Sequence, residues 1–144
     1  MRKILFRGKR VDNGGWTTGF PFIAGNDSCK MICAMALHPE FVDEGDVYYS
    51  EGFTVDPSTV GQYTGMTDKN GVKIFEGDIV NSNGTWWNAA GVAWHDSPII
   101  EVEWSNYLCG FEPFAYYGCD CGVFIRPNEV EIIGNIHDNP ELRR

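Results

Sequence analysis

The residues best suited to chemistry are two cysteine pairs. Cys29-x3-Cys33 and Cys119-x-Cys121 could together offer four thiolates to zinc. Structural zinc sites draw paired cysteines from spacings of about two to four residues. The first pair fits. The second puts both thiols on one face of a strand and strains a tetrahedron, and a fifth cysteine, Cys109, stands outside the pattern. Buried free thiols acting as small hydrophobes explain the same residues. No cofactor is therefore expected, with a zinc-binding interaction module kept as an alternative. The three histidines, His38, His95 and His137, precede Pro39, Asp96 and Asp138 and read as loop or turn positions. Nothing local marks Cys109 and His95 as a nucleophile and its base. Gly14-Gly15 and Gly61-x3-Gly65 lack the strand-loop-helix setting of a phosphate loop. No catalytic residue emerges, and the expectation is a protein that is not an enzyme.

The aromatic set is the more suggestive feature. Trp86, Trp87, Trp94, Trp104, Tyr107, Phe111, Phe114, Tyr116 and Tyr117 fall close together. Adjacent strand residues face opposite sides, so one member of Trp86-Trp87 and one of Tyr116-Tyr117 should face outward. Outward aromatics commonly dominate binding energy at protein interfaces. Trp86, Trp87, Trp94, Trp104, Tyr116 and Tyr117 are the interaction candidates, against a plainer role in filling the core.

Charge narrows the partner. The 144 residues carry a net −9, but unevenly. Arg2, Lys3, Arg7, Lys9 and Arg10 cluster at the start, while positions 11 to 142 carry a net −16. A phosphate-gripping protein needs a basic patch, so direct nucleic-acid binding is not expected. A basic first strand beside an acidic body can pair internally or with a second copy, and a homo-oligomer is expected. An acidic DNA mimic that inhibits a host nucleic-acid-binding protein is a further alternative. No run of about 18 apolar residues exists, so no membrane helix is expected. The apolar run after Lys3 is far shorter than the roughly 7–15 residues of a secretory core. The expected compartment is the cytoplasm, with reduced cysteines.

The elements that must position these residues read as strands. Seventeen Gly and seven Pro favour a turn-rich β protein. Ile4 to Arg7 and Trp16 to Ile23 read as strands joined through Asn13-Gly14-Gly15, with Pro21 marking an edge or bulge. Cys29 to Leu37 is ambiguous between strand and helix. Val60 to Tyr63 and Lys73 to Phe75 flank Asn70-Gly71, a strong hairpin signal. Glu76-Gly77-Asp78 turns into a strand at Ile79. Ile100, Val102 and Trp104 alternate with polar residues as one half-buried strand. Gly91 to Trp94, Phe111 to Tyr117, Gly122 to Ile125 and Glu131 to Ile136 are further candidates. The reading is mainly β, with an amino-terminal β-rich segment (1–58) packed on a small SH3-like barrel within 59–144.

The run Val60-Gly61-Gln62-Tyr63-Thr64-Gly65-Met66-Thr67-Asp68-Lys69-Asn70-Gly71, continued by Lys73-Ile74-Phe75-Glu76-Gly77-Asp78-Ile79-Val80, closely resembles the central signature of the YopX family. The start, Met1 to Gly8, and the end, Val130 to Leu142, resemble that family in the expected order. The resemblance implies a mostly β protein of a phage or prophage with an SH3-type barrel in its carboxy-terminal part. It implies no activity and carries over no catalytic residue. Gly65, Asp68, Asn70, Gly71, Glu76, Gly77 and Asp78 form its structural signature, which turn chemistry alone explains. Together these readings make a phage or prophage accessory protein that works by protein contact the leading expectation.

Overall fold

The computed structural model describes residues 4–24, 28–32, 52–82, 87–88, 99–114 and 123–143. The chain is mainly β and divides into two units, one of Lys3–Gln62 and one of Tyr63–Arg144 with the first two residues.

In the first unit, β1 (Phe6–Arg10) and β2 (Trp16–Ala24) form the hairpin that Asn13-Gly14-Gly15 predicts. Arg10 and Gly15 close the turn, with the Arg10 N–H donating to Gly15 O at 2.8 Å. The Asn13 side chain accepts the Gly15 N–H at 2.8 Å, and Gly14 takes a φ of +69° that few side chains tolerate. Past Gly19, β2 leaves β1 and pairs with β3 (Ser28–Ile32). Pro21 sits in that second half, where it costs no bond to β1. The long β4 (Gly52–Thr67) pairs first with β3 and then with β1. Its register against β1 jumps between Asp56 and Gly61. There the Thr59 hydroxyl accepts the Lys9 N–H at 2.9 Å and donates to Asp56 O at 2.7 Å. Val55 is buried with Phe6 and Val60 against it. The basic first strand is engaged within the unit: Arg7 lies over Trp16, and Arg10 lies over Phe53 while bonding Asp12. That bond to Arg10 holds the Asp12 carboxyl below its ordinary pKa.

In the second unit, the end of β4 pairs with β5 (Lys73–Phe75). Next come β6 (Asp78–Asn81), β7 (Trp87–Asn88), β8 (Ile99–Glu101), β9 (Glu103–Ser105), β10 (Gly110–Glu112), β11 (Val123–Phe124) and β12 (Glu131–Asn135). β6 lies between β12 and β8, while β9 pairs β10 and β7 pairs β11. Ile74, Val80, Val102, Phe111, Ile125 and Val130 make the core.

The SH3-type barrel is not among these pairings, which leave open sheets. The expected strand Ile100–Trp104 is instead two strands broken at Val102. β8 bonds to β6 and β9 to β10, so one alternating run serves two sheets. Val102 is held at the break, where its N–H donates to Asp78 O and its carbonyl accepts the Gly77 N–H, both at 2.8 Å. The strand expected at Gly91 to Trp94 lies outside the described residues. No helix among the described residues is long and apolar enough to cross a membrane.

Candidate functional site

The signature residues form a built structure, centred on Asp68. The chain turns through Lys69-Asn70-Gly71 between Thr67 and Lys73, with the Asp68 N–H donating to Val72 O at 2.8 Å and the Gly71 N–H to Asp68 O at 3.0 Å. Only Gly71 takes positive φ, at +78°. This is a three-residue loop ending in a glycine bulge, not the two-residue turn in which Asn70 would share that conformation. Asp68 is 4% exposed. Its Oδ1 accepts the N–H groups of Asn70 at 2.8 Å and Val72 at 2.9 Å, and its Oδ2 accepts that of Ile132 at 3.2 Å. Burial works against the charge. The N–H groups of Val72, Ile132 and Asn70 and the nearby Lys69 outweigh it and hold the carboxyl below its ordinary pKa. Lys69 adds a bond from its N–H to Val130 O and an ion pair to Glu131. The turn is thereby fastened to β12, far away in sequence.

The other signature residues follow the same logic. Gly65, with φ +88°, forms a bulge where the Thr64 hydroxyl donates to Ile74 O at 2.9 Å. Gly77, with φ +85°, carries the Glu76-Gly77-Asp78 turn, and its carbonyl accepts the Ile136 N–H at 2.9 Å. The Asp78 carboxylate, 2% exposed, accepts the Phe75 N–H at 2.7 Å. Both turns are consumed in holding backbone together.

Among the described residues, the β9–β10 hairpin is one surface that carries exposed aromatic side chains. Trp104 lies opposite Phe111, with their rings edge to face at a centroid distance of 5.1 Å. The Trp104 indole N–H donates to Asn106 Oδ1 at 3.0 Å. The ring is thus fixed on two sides yet remains 43% exposed. Tyr107, at the tip, is 77% exposed. Cys109 has an exposed thiol and a φ of +50°, which closes the tip before Gly110.

Of the interaction candidates, Trp104 is described and exposed. Trp86, Trp94, Tyr116, Tyr117 and the side chain of Trp87 lie outside the described residues. So do Cys33, Cys119, Cys121 and the Cys29 side chain, and with them the zinc proposal. Among the described residues, no three His, Cys, Asp or Glu side chains gather as metal ligands. His137 is half-buried near Gly77, while His38 and His95 are outside the described residues. One small, shallow cleft is lined by Ile79, Ile99, Glu101, Leu142 and Arg143. It is crossed by an ion pair between Arg143 and Glu101 at 2.9 Å. Sequence reasoning placed Tyr107 in the aromatic set but not among the interaction candidates. The signal for it was present: a polar Ser105-Asn106 step between two β runs marks a hairpin tip.

These features define a mainly β protein whose turn signature is structural and whose hairpin displays a pinned aromatic. The family described as YopX protein matches residues 11–143, and the chain belongs to the YopX family. Protein EF1440 from Enterococcus faecalis has a similar crystal structure. Its TM-score is 0.52 at 24% identity over 100% of both chains, a likeness that shows the fold alone. No curated protein sequence matches the chain.

Proposed function

We propose that the protein is a non-catalytic accessory protein of a phage or prophage that acts by binding another protein through the β9–β10 hairpin. The observation that carries this reading is Trp104, which is exposed yet fixed by Phe111 and Asn106. A rigid aromatic loses little freedom on binding, which is what makes such side chains effective anchors. Tyr107 extends the same surface at the tip.

The test is affinity capture from the host during prophage induction, using the wild-type chain beside Trp104→Phe and Tyr107→Ser. The wild type should recover a protein that both variants lose, with thermal unfolding near that of the wild type. Recovery of the same proteins by all three chains would refute the proposed surface.

A further inference from the structure

Three Asn-Gly steps occur in the chain, at Asn13, Asn70 and Asn83. Asn83-Gly84 lies outside the described residues. Asn13-Gly14 and Asn70-Gly71 both sit in exposed turns, with the glycine at positive φ, +69° and +78°. A Cβ at either glycine would meet nothing within 4 Å. Each glycine N–H donates to a carbonyl at 3.0 Å, Gly14 to that of Arg10 and Gly71 to that of Asp68. In these respects the two steps match. They differ at the asparagine side chain. Asn13 Oδ1 accepts the Gly15 N–H at 2.8 Å. Among the described residues the Asn70 side chain has no such donor, because the Asn70 and Val72 N–H groups go to Asp68 Oδ1 instead. They differ also in charge. The buried Asp68 carboxylate lies 2.8 Å from the Asn70 nitrogen, whereas the Asp12 carboxylate beside Asn13 is paired to Arg10.

We infer that Asn13 is a site of spontaneous deamidation in the folded chain, and that the Gly15 N–H favours it over Asn70. The Gly14 backbone nitrogen, its proton passed to solvent base, attacks Asn13 Cγ. The N–Cγ bond forms and Oδ1 takes up the negative charge. As the carbonyl reforms, the Cγ–Nδ2 bond breaks, and Nδ2 takes a proton from water and leaves as ammonia. Water then opens the imide ring. Attack at Cγ gives aspartate, and attack at the main-chain carbonyl carbon gives isoaspartate. Only an interaction that is stronger in the transition state speeds the first step. The Gly15 N–H meets that condition, because a hydrogen bond to a charged oxygen is roughly twice as strong as one to a neutral oxygen. At Asn70 the same developing charge lies beside the Asp68 carboxylate, which opposes it. Either product sets a second carboxylate beside Asp12, in a turn where Arg10 is shared between Asp12 and Phe53. Isoaspartate also lengthens the backbone of the β1–β2 turn.

The test incubates the full chain in mildly alkaline buffer made with heavy-oxygen water. Proteolysis and mass spectrometry then follow the conversion of Asn13 and Asn70 separately. The same incubation in urea removes the fold and leaves the intrinsic reactivity of each step. The ratio of Asn13 to Asn70 conversion should be roughly twofold to tenfold higher in the folded chain than in urea, the worth of one ordinary hydrogen bond. Gly15→Pro deletes the donor but keeps the carbonyl that accepts the Arg10 N–H. It should bring the folded ratio down toward the urea value. No conversion at Asn13 in the folded chain, or a ratio no higher there than in urea, would overturn the inference. So would an unchanged ratio in Gly15→Pro with thermal unfolding near that of the wild type. The urea comparison decides the matter whether or not that variant folds.

Discussion

Replacing Asp68 by Asn would test whether the signature turn is held by charge as well as by shape. The Asp68 carboxylate accepts three backbone N–H groups, two at Oδ1 and one, from Ile132, at Oδ2. Asparagine keeps the volume but has only one acceptor oxygen. If that oxygen serves Asn70 and Val72, the new NH2 group faces the Ile132 N–H and one bond is lost. A bond to a charged acceptor is worth about 1.5–3 kcal/mol, and the other two would weaken by roughly 0.5–1 kcal/mol each on losing the charge. Burying a neutral amide in place of a carboxylate returns about 1–2 kcal/mol. The net loss is about 0.5–4 kcal/mol, centred near ~2 kcal/mol, a sizeable part of the roughly 5–15 kcal/mol that typically holds a domain folded. Urea unfolding followed by circular dichroism at neutral pH would measure it.

The pH dependence makes the same prediction sharper. In the fold the Asp68 carboxyl titrates below its ordinary 3.8. Its contribution is therefore complete above that value and disappears as pH falls through the lowered pKa. The gap between wild type and Asp68→Asn should be full at neutral pH and should narrow below about pH 4. A gap under about 0.5 kcal/mol at neutral pH would refute the reasoning. So would one that stays constant into acid.

Two further predictions concern glycines that differ in why they are glycines. Gly77 has φ +85°, but a Cβ there would only touch Ile136 at 3.5 Å. Gly77→Ala should therefore cost about 1–2 kcal/mol from backbone strain alone in thermal unfolding, and Gly77→Asn less, since Asn accepts that conformation. Gly134 has no such φ, but a Cβ there would lie 2.5 Å from Asn139 Oδ1 and 3.0 Å from Leu142 Cδ1. Gly134→Ala should cost about 1–3 kcal/mol through crowding, and adding Asn139→Ala should recover part of it.

Local chemistry was legible in the sequence, and long-range chemistry was not. Asn13-Gly14-Gly15, Asn70-Gly71 and Gly77 marked real turns because a turn is decided by a few adjacent residues. The division of labour within them was less legible. Gly71 carries the positive φ without Asn70, and Asp68, read as turn chemistry, spends one oxygen on Ile132, 64 residues away. The structure ends β12 at Asn135, whose Oδ1 accepts the N–H groups of His137 at 3.0 Å and Asp138 at 2.9 Å.

Alternation in Ile100, Val102 and Trp104 predicted a shared inward face. Val102 is buried, while Trp104, beyond the break between β8 and β9, stays exposed. Periodicity reports which residues share a side of a strand, but cannot tell where the strand changes partner. The expectation of an SH3-type closure rested on the run of short strands and on the family resemblance, and closure depends on such partner choices. Trp104 was legible as an interaction candidate by type. Its restraint by Phe111 and Asn106 emerges only from the folded hairpin.

The claim that this hairpin is the working surface is most directly tested by site-specific photo-crosslinking. A photoreactive amino acid would replace Tyr107, with a control at Val11, which is 62% exposed on the other unit. Irradiation during prophage induction should give a discrete protein adduct from position 107 that the control position does not give. An adduct from position 11 alone, the same adduct from both, or none from position 107 would contradict the account.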